Sequence, residues 1–168
     1  MTKELPKRRP TRLKNFDYNE NGSYFVTICT ETHKEFLSSV KAEENKMPEV
    51  KLSEIGKIVE EEINEIQKRY ERVTVERYVI MPNHVHLIIF IDGFNLKETE
   101  KLPTLSDIIC SFKSLSARKI KKNFSIQKVW QRSFYDHIIR NEKDYSVRCN
   151  YIEKNPFNWA IGKKIIDY

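Results

Sequence analysis

The sequence predicts one α+β domain built on an antiparallel sheet. Three observations carry this expectation. Runs rich in β-branched and aromatic residues alternate with segments whose apolar residues recur at helical spacing. Two strand-like runs, Val73 to Met81 and Val85 to Ile91, follow each other with only a short break at Pro82-Asn83. The chain has 168 residues, enough for one such core and too few for two ordinary ones.

The elements follow in order. After Gly22, the run Ser23 to Thr30 (SYFVTICT) reads as the first strand. Residues 41 to 52 are polar and charged and suit a loop. Ser53 is a natural N-cap for a first helix, with Ile55, Ile58, Val59, Ile63, Ile66 and Tyr70 at helical spacing. The two strands around Pro82-Asn83 come next. Residues 94 to 103 form a charged loop, and Thr104 with Asp107 resembles a capping box opening a second helix. The buried stripe of that helix is expected at Leu105, Ile108, Ile109, Phe112 and Leu115. Lys128 to Ile139 suits a fourth, bent strand. Asn141 caps a third helix, expected to end at Asn155-Pro156 because proline disfavours a helical residue before it. The order β-α-β-β-α-β is that of a ferredoxin-like unit, with both helices on one face of the sheet and one helix added at the C-terminus.

Composition limits the partners. Thirty Lys+Arg against 24 Asp+Glu give a net charge of +6, which favours a polyanion such as nucleic acid. Residues 1–14 hold six of the basic residues and one Glu, and are expected as a flexible basic arm ahead of a single domain over 15–168. A second basic stretch comprises Lys113, Arg118, Lys119, Lys121 and Lys122; it is either a solvated helix face or a phosphate-contacting one. Cys29, Cys110 and Cys149 form no CxxC pair and read as small core residues in a reducing compartment. No run reaches the roughly 18 apolar residues of a membrane span, so no membrane partner and a cytoplasmic location are expected.

The strongest local signal for chemistry is Met81-Pro-Asn-His-Val-His-Leu-Ile-Ile-Phe90. Residues two apart on a strand share a face, so His84 and His86 point together while Val85 points into the core. Such a pair either presents two imidazoles to one metal ion or consists of surface or hydrogen-bonded histidines. A third ligand must come from elsewhere. On the last helix Tyr151 and Asn155 are four residues apart and share a face. If that face lies on the open side of the sheet, Asn155 adds an oxygen ligand and Tyr151 a hydroxyl beside it. Two imidazoles and one carboxamide with open positions suit Mg²⁺ or Mn²⁺. The competing reading is a packed tyrosine and a helix-ending asparagine.

The combination GSYFVTICT, MPNHVHLI, WQRSFYDHIIRNEKD and NYIEKNP, in this order over residues 13–159, resembles the IS200-like single-tyrosine transposases, and within them the REP-associated tyrosine transposases. The resemblance implies His84 and His86 as metal ligands, Asn155 as the third ligand where related enzymes often have Gln, and Tyr151 as the nucleophile. Tyr135 is placed by it in a block of varied aromatics, and so in the core or in DNA stacking. His137 and Arg140 become candidate DNA contacts, as do Lys113, Arg118, Lys119 and Lys122. The implied activity is metal-dependent cleavage and rejoining of single-stranded or hairpin DNA, including REP-like palindromes, through a 5′-phosphotyrosine. Related enzymes act as monomers or as homodimers, and the sequence leaves that open. Two other functions stay in play. One is a domesticated hairpin-binding protein without transposition activity. The other is a ferredoxin-like RNA-binding module, which requires exposed aromatics on central strands, from Tyr24, Phe25, Trp130 and Phe134.

Overall fold

A computed structural model describes residues 21–43, 45–96 and 100–162; the basic arm at 1–14 lies outside them. Six strands and three helices follow in order: β1 (Gly22–Cys29), β2 (Ser38–Lys41), β3 (Glu49–Leu52), α1 (Glu54–Arg69), β4 (Val73–Ile80), β5 (His84–Ile91), α2 (Leu105–Asn123), β6 (Tyr135–Ile139) and α3 (Glu142–Ala160). Strands β1, β4, β5 and β6 form one antiparallel sheet in the order β4-β5-β1-β6. That is the strand order of the ferredoxin-like unit expected from the sequence.

The two faces of the sheet follow from strand alternation. Tyr24, Val26 and Ile28 of β1, with Val85, Leu87, Ile89 and Ile91 of β5, form the main core against Val59, Ile63 and Ile66 of α1 and Ile108, Ile109 and Phe112 of α2. The opposite face carries a small separate cluster in which Phe25 and Ile88 meet Ile152 of α3. Three large side chains in that cluster contribute roughly 5 to 9 kcal/mol of apolar transfer, before the entropy of ordering a helix is subtracted. Docking of α3 is therefore the weaker of the two attachments.

Helix starts match local sequence chemistry. The Ser53 hydroxyl accepts from Gly56 N, Thr104 and Asp107 form a reciprocal capping box, and the Asn141 side chain accepts from Asp144 N. Gly56 meets a packing demand: a Cβ there would lie 2.0 Å from the Leu37 carbonyl oxygen.

Five expectations need correction. The loop expected over 41–52 ends in a strand, β3, that pairs back on β2 to form a two-stranded ribbon, with Val40 and Val50 directly opposite each other. The fourth strand is shorter than expected. Residues 128–134 are irregular apart from a bridge between Trp130 and Thr30, since the Trp130 indole turns into the core to donate to Ser116 Oγ at 2.9 Å. Ser116, not Leu115, continues the buried stripe of α2, because its hydroxyl is satisfied by Trp130 and by donation to the Phe112 carbonyl. Of the three cysteines only Cys29 is buried; Cys110 is exposed and Cys149 half-buried on their helices. Finally, α3 does not stop at Asn155 but runs through Pro156 to Ala160. A proline inside a helix costs about 3 kcal/mol. Burial of Asn155 before it, packing of Trp159 after it, and a left-handed Gly162 whose N donates to the Trp159 carbonyl offset that cost.

Candidate active site on the open face of the sheet

His84 and His86 begin β5 on the face opposite α1 and α2, while Val85 between them is in the main core. Both imidazoles are buried, and their ring centroids are 4.6 Å apart. Each has its Nδ1 engaged by a neighbouring polar side chain: His84 by Asn83 Oδ1 at 2.7 Å, and His86 by Thr27 Oγ1 at 2.8 Å. No well-formed hydrogen bond within the protein reaches either Nε2, although both atoms are buried. Buried nitrogens left without a partner are uncommon, and two on adjacent rings call for a ligand.

Electrostatics favour the ligating form. Burial pushes His84 down to about 4, with the nearby charge of His33 in the same direction and contact with Asn155 opposing it. Burial, then His84, pushes His86 well below the ordinary imidazole value. Both rings are thus neutral at neutral pH, as metal ligation requires.

Across the site lies α3. The Tyr151 ring meets His86 edge-on, with centroids 5.1 Å apart, and Phe25 edge-on at 5.7 Å. Asn155 is buried one turn further along and contacts His84. Another turn on, the Trp159 ring lies 6.0 Å from His84. Phe25 stacks on His86 at 5.1 Å, and the Arg148 guanidinium sits 5.3 Å over the Phe25 ring. The four residues His84, His86, Tyr151 and Asn155, distant in sequence, therefore meet.

The other singled-out residues are placed differently. His137 pairs with Phe25 across β1 and β6, so it shares the open face; its Nε2 lies 2.8 Å from Asp144 Oδ2. Burial pushes the Asp144 carboxyl up, but hydrogen bonds from His137 and the Arg140 backbone, and the charges of His137 and Arg148, hold it below the usual value. Arg140 is exposed between β6 and α3. Lys113, Arg118, Lys119 and Lys122 all lie on α2, across the sheet from the histidines. Lys113 donates to the carbonyls of Gln131, Arg132 and Ser133, and Lys119 pairs with the buried Glu62 at 2.7 Å. Arg118 and Lys122 are exposed.

Sequence reasoning missed Thr27, Asn83, Arg148 and Trp159. Arg148, Tyr151, Asn155 and Trp159 form an i, i+3, i+7, i+11 stripe, a signal hidden by ending the helix at Pro156. Asn83 adjoins His84 in sequence. Thr27 has no such signal, because only the β1–β5 register sets it opposite His86.

Among the described residues, no group of three or more His, Cys, Asp or Glu side chains is arranged to hold a metal. The donors that fit one are the two free Nε2 atoms and the Asn155 carboxamide, a set suited to a divalent cation that keeps open positions. Among the same residues no helix is long and apolar enough to cross a membrane.

Comparison with known proteins gives a consistent result. Residues 23–155 match the family described as Transposase IS200 like. An uncharacterised protein of Haemophilus influenzae is 32% identical over 95% of this chain and 94% of its own length. A REP-associated tyrosine transposase of Escherichia coli is 30% identical, over 60% of this chain and 54% of its own length. A solved REP-associated tyrosine transposase bound to a REP hairpin shares the fold, with a TM-score of 0.62 and 20% identity over 88% of this chain and 74% of that one.

Proposed function

Since the chain belongs to the IS200-like transposase family, and is thereby a DNA-processing enzyme, we propose that it cleaves and rejoins single-stranded or hairpin DNA through a covalent bond to Tyr151. In this reading His84, His86 and Asn155 hold one Mg²⁺ or Mn²⁺. The observation that carries it is the convergence of Tyr151 and Asn155, on one face of α3, with two buried imidazoles whose Nε2 atoms make no well-formed hydrogen bond, Asn155 lying against His84.

A divalent cation bound there supplies a Lewis acid for a nonbridging phosphate oxygen, offsetting charge that builds up in the transition state. The chain's own residues do the rest. The Tyr151 oxygen forms a bond to phosphorus and loses its proton; the bond from phosphorus to the 3′-oxygen breaks, and that oxygen takes a proton. The products are a 5′-phosphotyrosine and a free 3′-hydroxyl. Attack by a 3′-hydroxyl on the phosphotyrosine reverses these steps, returns a proton to Tyr151 and rejoins the strand with no nucleotide consumed. Edge-on packing against His86 and Phe25 restricts the Tyr151 ring, so the nucleophile is held rather than searched for. In this reading His137, on the open face beside Asp144 of α3, and Arg140, exposed between β6 and α3, contact the DNA backbone. The hairpin substrate is proposed from the hairpin-bound neighbour, and an association with REP elements also from the name of the E. coli relative.

The RNA-binding alternative has little physical support, since Tyr24, Phe25 and Trp130 are buried and Phe134 alone of the four aromatics is half-buried. A test is incubation of wild type and Tyr151→Phe with labelled hairpin DNA, with Mn²⁺, Mg²⁺ or EDTA, followed by a denaturing gel. A metal-dependent adduct lost in Tyr151→Phe is expected. An adduct that survives the substitution would move the nucleophile to another residue such as Tyr135. Tight hairpin binding with no adduct in any condition would make the protein a hairpin-binding module.

A further inference from the structure

We infer that Asn83 is a positioning residue that holds His84 in its Nδ1–H tautomer, and that a left-handed turn at Thr32-His33 holds Asn83 in turn. The consequence for metal binding rests on the proposed function; the tautomer itself does not.

The inference follows from donor and acceptor chemistry. A backbone carbonyl can only accept, so the Asn83 atom 3.3 Å from the His33 carbonyl oxygen must be the amide nitrogen. The other end of the carboxamide is then the oxygen, and it faces His84 Nδ1 at 2.7 Å. A carboxamide oxygen also only accepts, so Nδ1 must carry the proton. A neutral imidazole has one proton, which leaves the lone pair on Nε2, a buried atom that makes no well-formed hydrogen bond in the protein.

The turn that delivers the carbonyl is costly. Thr32 and His33 have φ of 53° and 54°, consecutive left-handed residues without glycine, and Thr32 is β-branched. Strain of this kind persists where surrounding structure over-determines it. Here Asn83 is tied to the same segment a second way. Its backbone carbonyl accepts from Thr30 N at 2.9 Å, with the Thr30 hydroxyl, whose one proton is shared with the Lys34 carbonyl, 3.0 Å away. The end of β1 and the start of β5 are thereby locked together around one amide, whose orientation has a single solution.

The test reads the ring nitrogens of His84 by long-range ¹H–¹⁵N correlation in metal-free, ¹⁵N-labelled protein, and Mn²⁺ affinity by electron paramagnetic resonance. Wild type is expected to show a protonated Nδ1 and a pyridine-like Nε2. Asn83→Ala, which keeps the backbone bonds to Thr30, should release the ring to the Nε2–H or a mixed form and weaken Mn²⁺ binding about 10- to 100-fold. Asn83→Asp retains an acceptor and should keep the tautomer. His33→Gly keeps the carbonyl and fits its φ, so the tautomer should again be unchanged. A wild-type His84 protonated on Nε2, or an unchanged tautomer in a folded Asn83→Ala, would overturn the inference. Failure of wild type to bind Mn²⁺ despite the expected tautomer would sink the metal reading alone.

Discussion

Ile152→Ala separates the docking of α3 from the stability of the domain. Ile152 is 5% exposed and closes the small cluster with Phe25 and Ile88. Truncation removes three buried carbons, worth about 2.4 kcal/mol at roughly 0.8 per carbon, and the cavity left behind brings the loss to about 3 kcal/mol. None of this loss falls on the main core between the sheet and α1 and α2. The free energy should therefore appear as local opening of α3, and 3 kcal/mol corresponds to a roughly 100-fold rise in the open population. Hydrogen exchange read by mass spectrometry is the assay. Amides within Glu142–Ala160 are expected to exchange about 100-fold faster, while those of α1 and α2 hold their wild-type rates. Adduct formation should fall in parallel, because Tyr151 and Asn155 leave the site with the helix. Equal acceleration in α1 and α2, or an unchanged α3, would refute the view that this helix is a separately docked unit.

Two further outcomes follow from the structure. Asp144 has a carboxyl held below its ordinary value of 3.8, so the stability it confers is complete above that value and is lost as pH falls through the lower folded value. Urea unfolding should show wild type more stable than Asp144→Asn at pH 7 and pH 5, with the two converging toward pH 3; a gap that widens on acidification would contradict the assignment. Gly56→Ala would ordinarily gain about 1 kcal/mol of helix propensity, but the new Cβ would meet the Leu37 carbonyl at 2.0 Å. A loss of more than about 2 kcal/mol is expected in thermal or urea unfolding, and a gain would show that the Leu37 backbone and α1 can separate at no cost.

Much of this protein was legible in its sequence because the deciding interactions are local. Ser53, Thr104 with Asp107, and Asn141 mark helix starts through hydrogen bonds spanning three residues. The alternation that sets His84 and His86 on one face and Val85 on the other is a property of any strand, and the four-residue spacing of Tyr151 and Asn155 is a property of any helix. The β-α-β-β-α-β order was readable for the same reason. What lay beyond it depends on partners distant in the chain. Thr27 supports His86 only through the β1–β5 register, and Asn83 finds its orientation only when a left-handed turn from the other strand presents a carbonyl. The continuation of α3 through Pro156 runs against local preference; it holds because burial of Asn155 and packing of Trp159 near His84 outweigh a penalty of about 3 kcal/mol. Periodicity put His84 with His86, and Tyr151 with Asn155, on shared faces, and family resemblance lent those residues their expected roles, but only tertiary packing brings the four together, since the free energy that orients each side chain comes from residues tens of positions away.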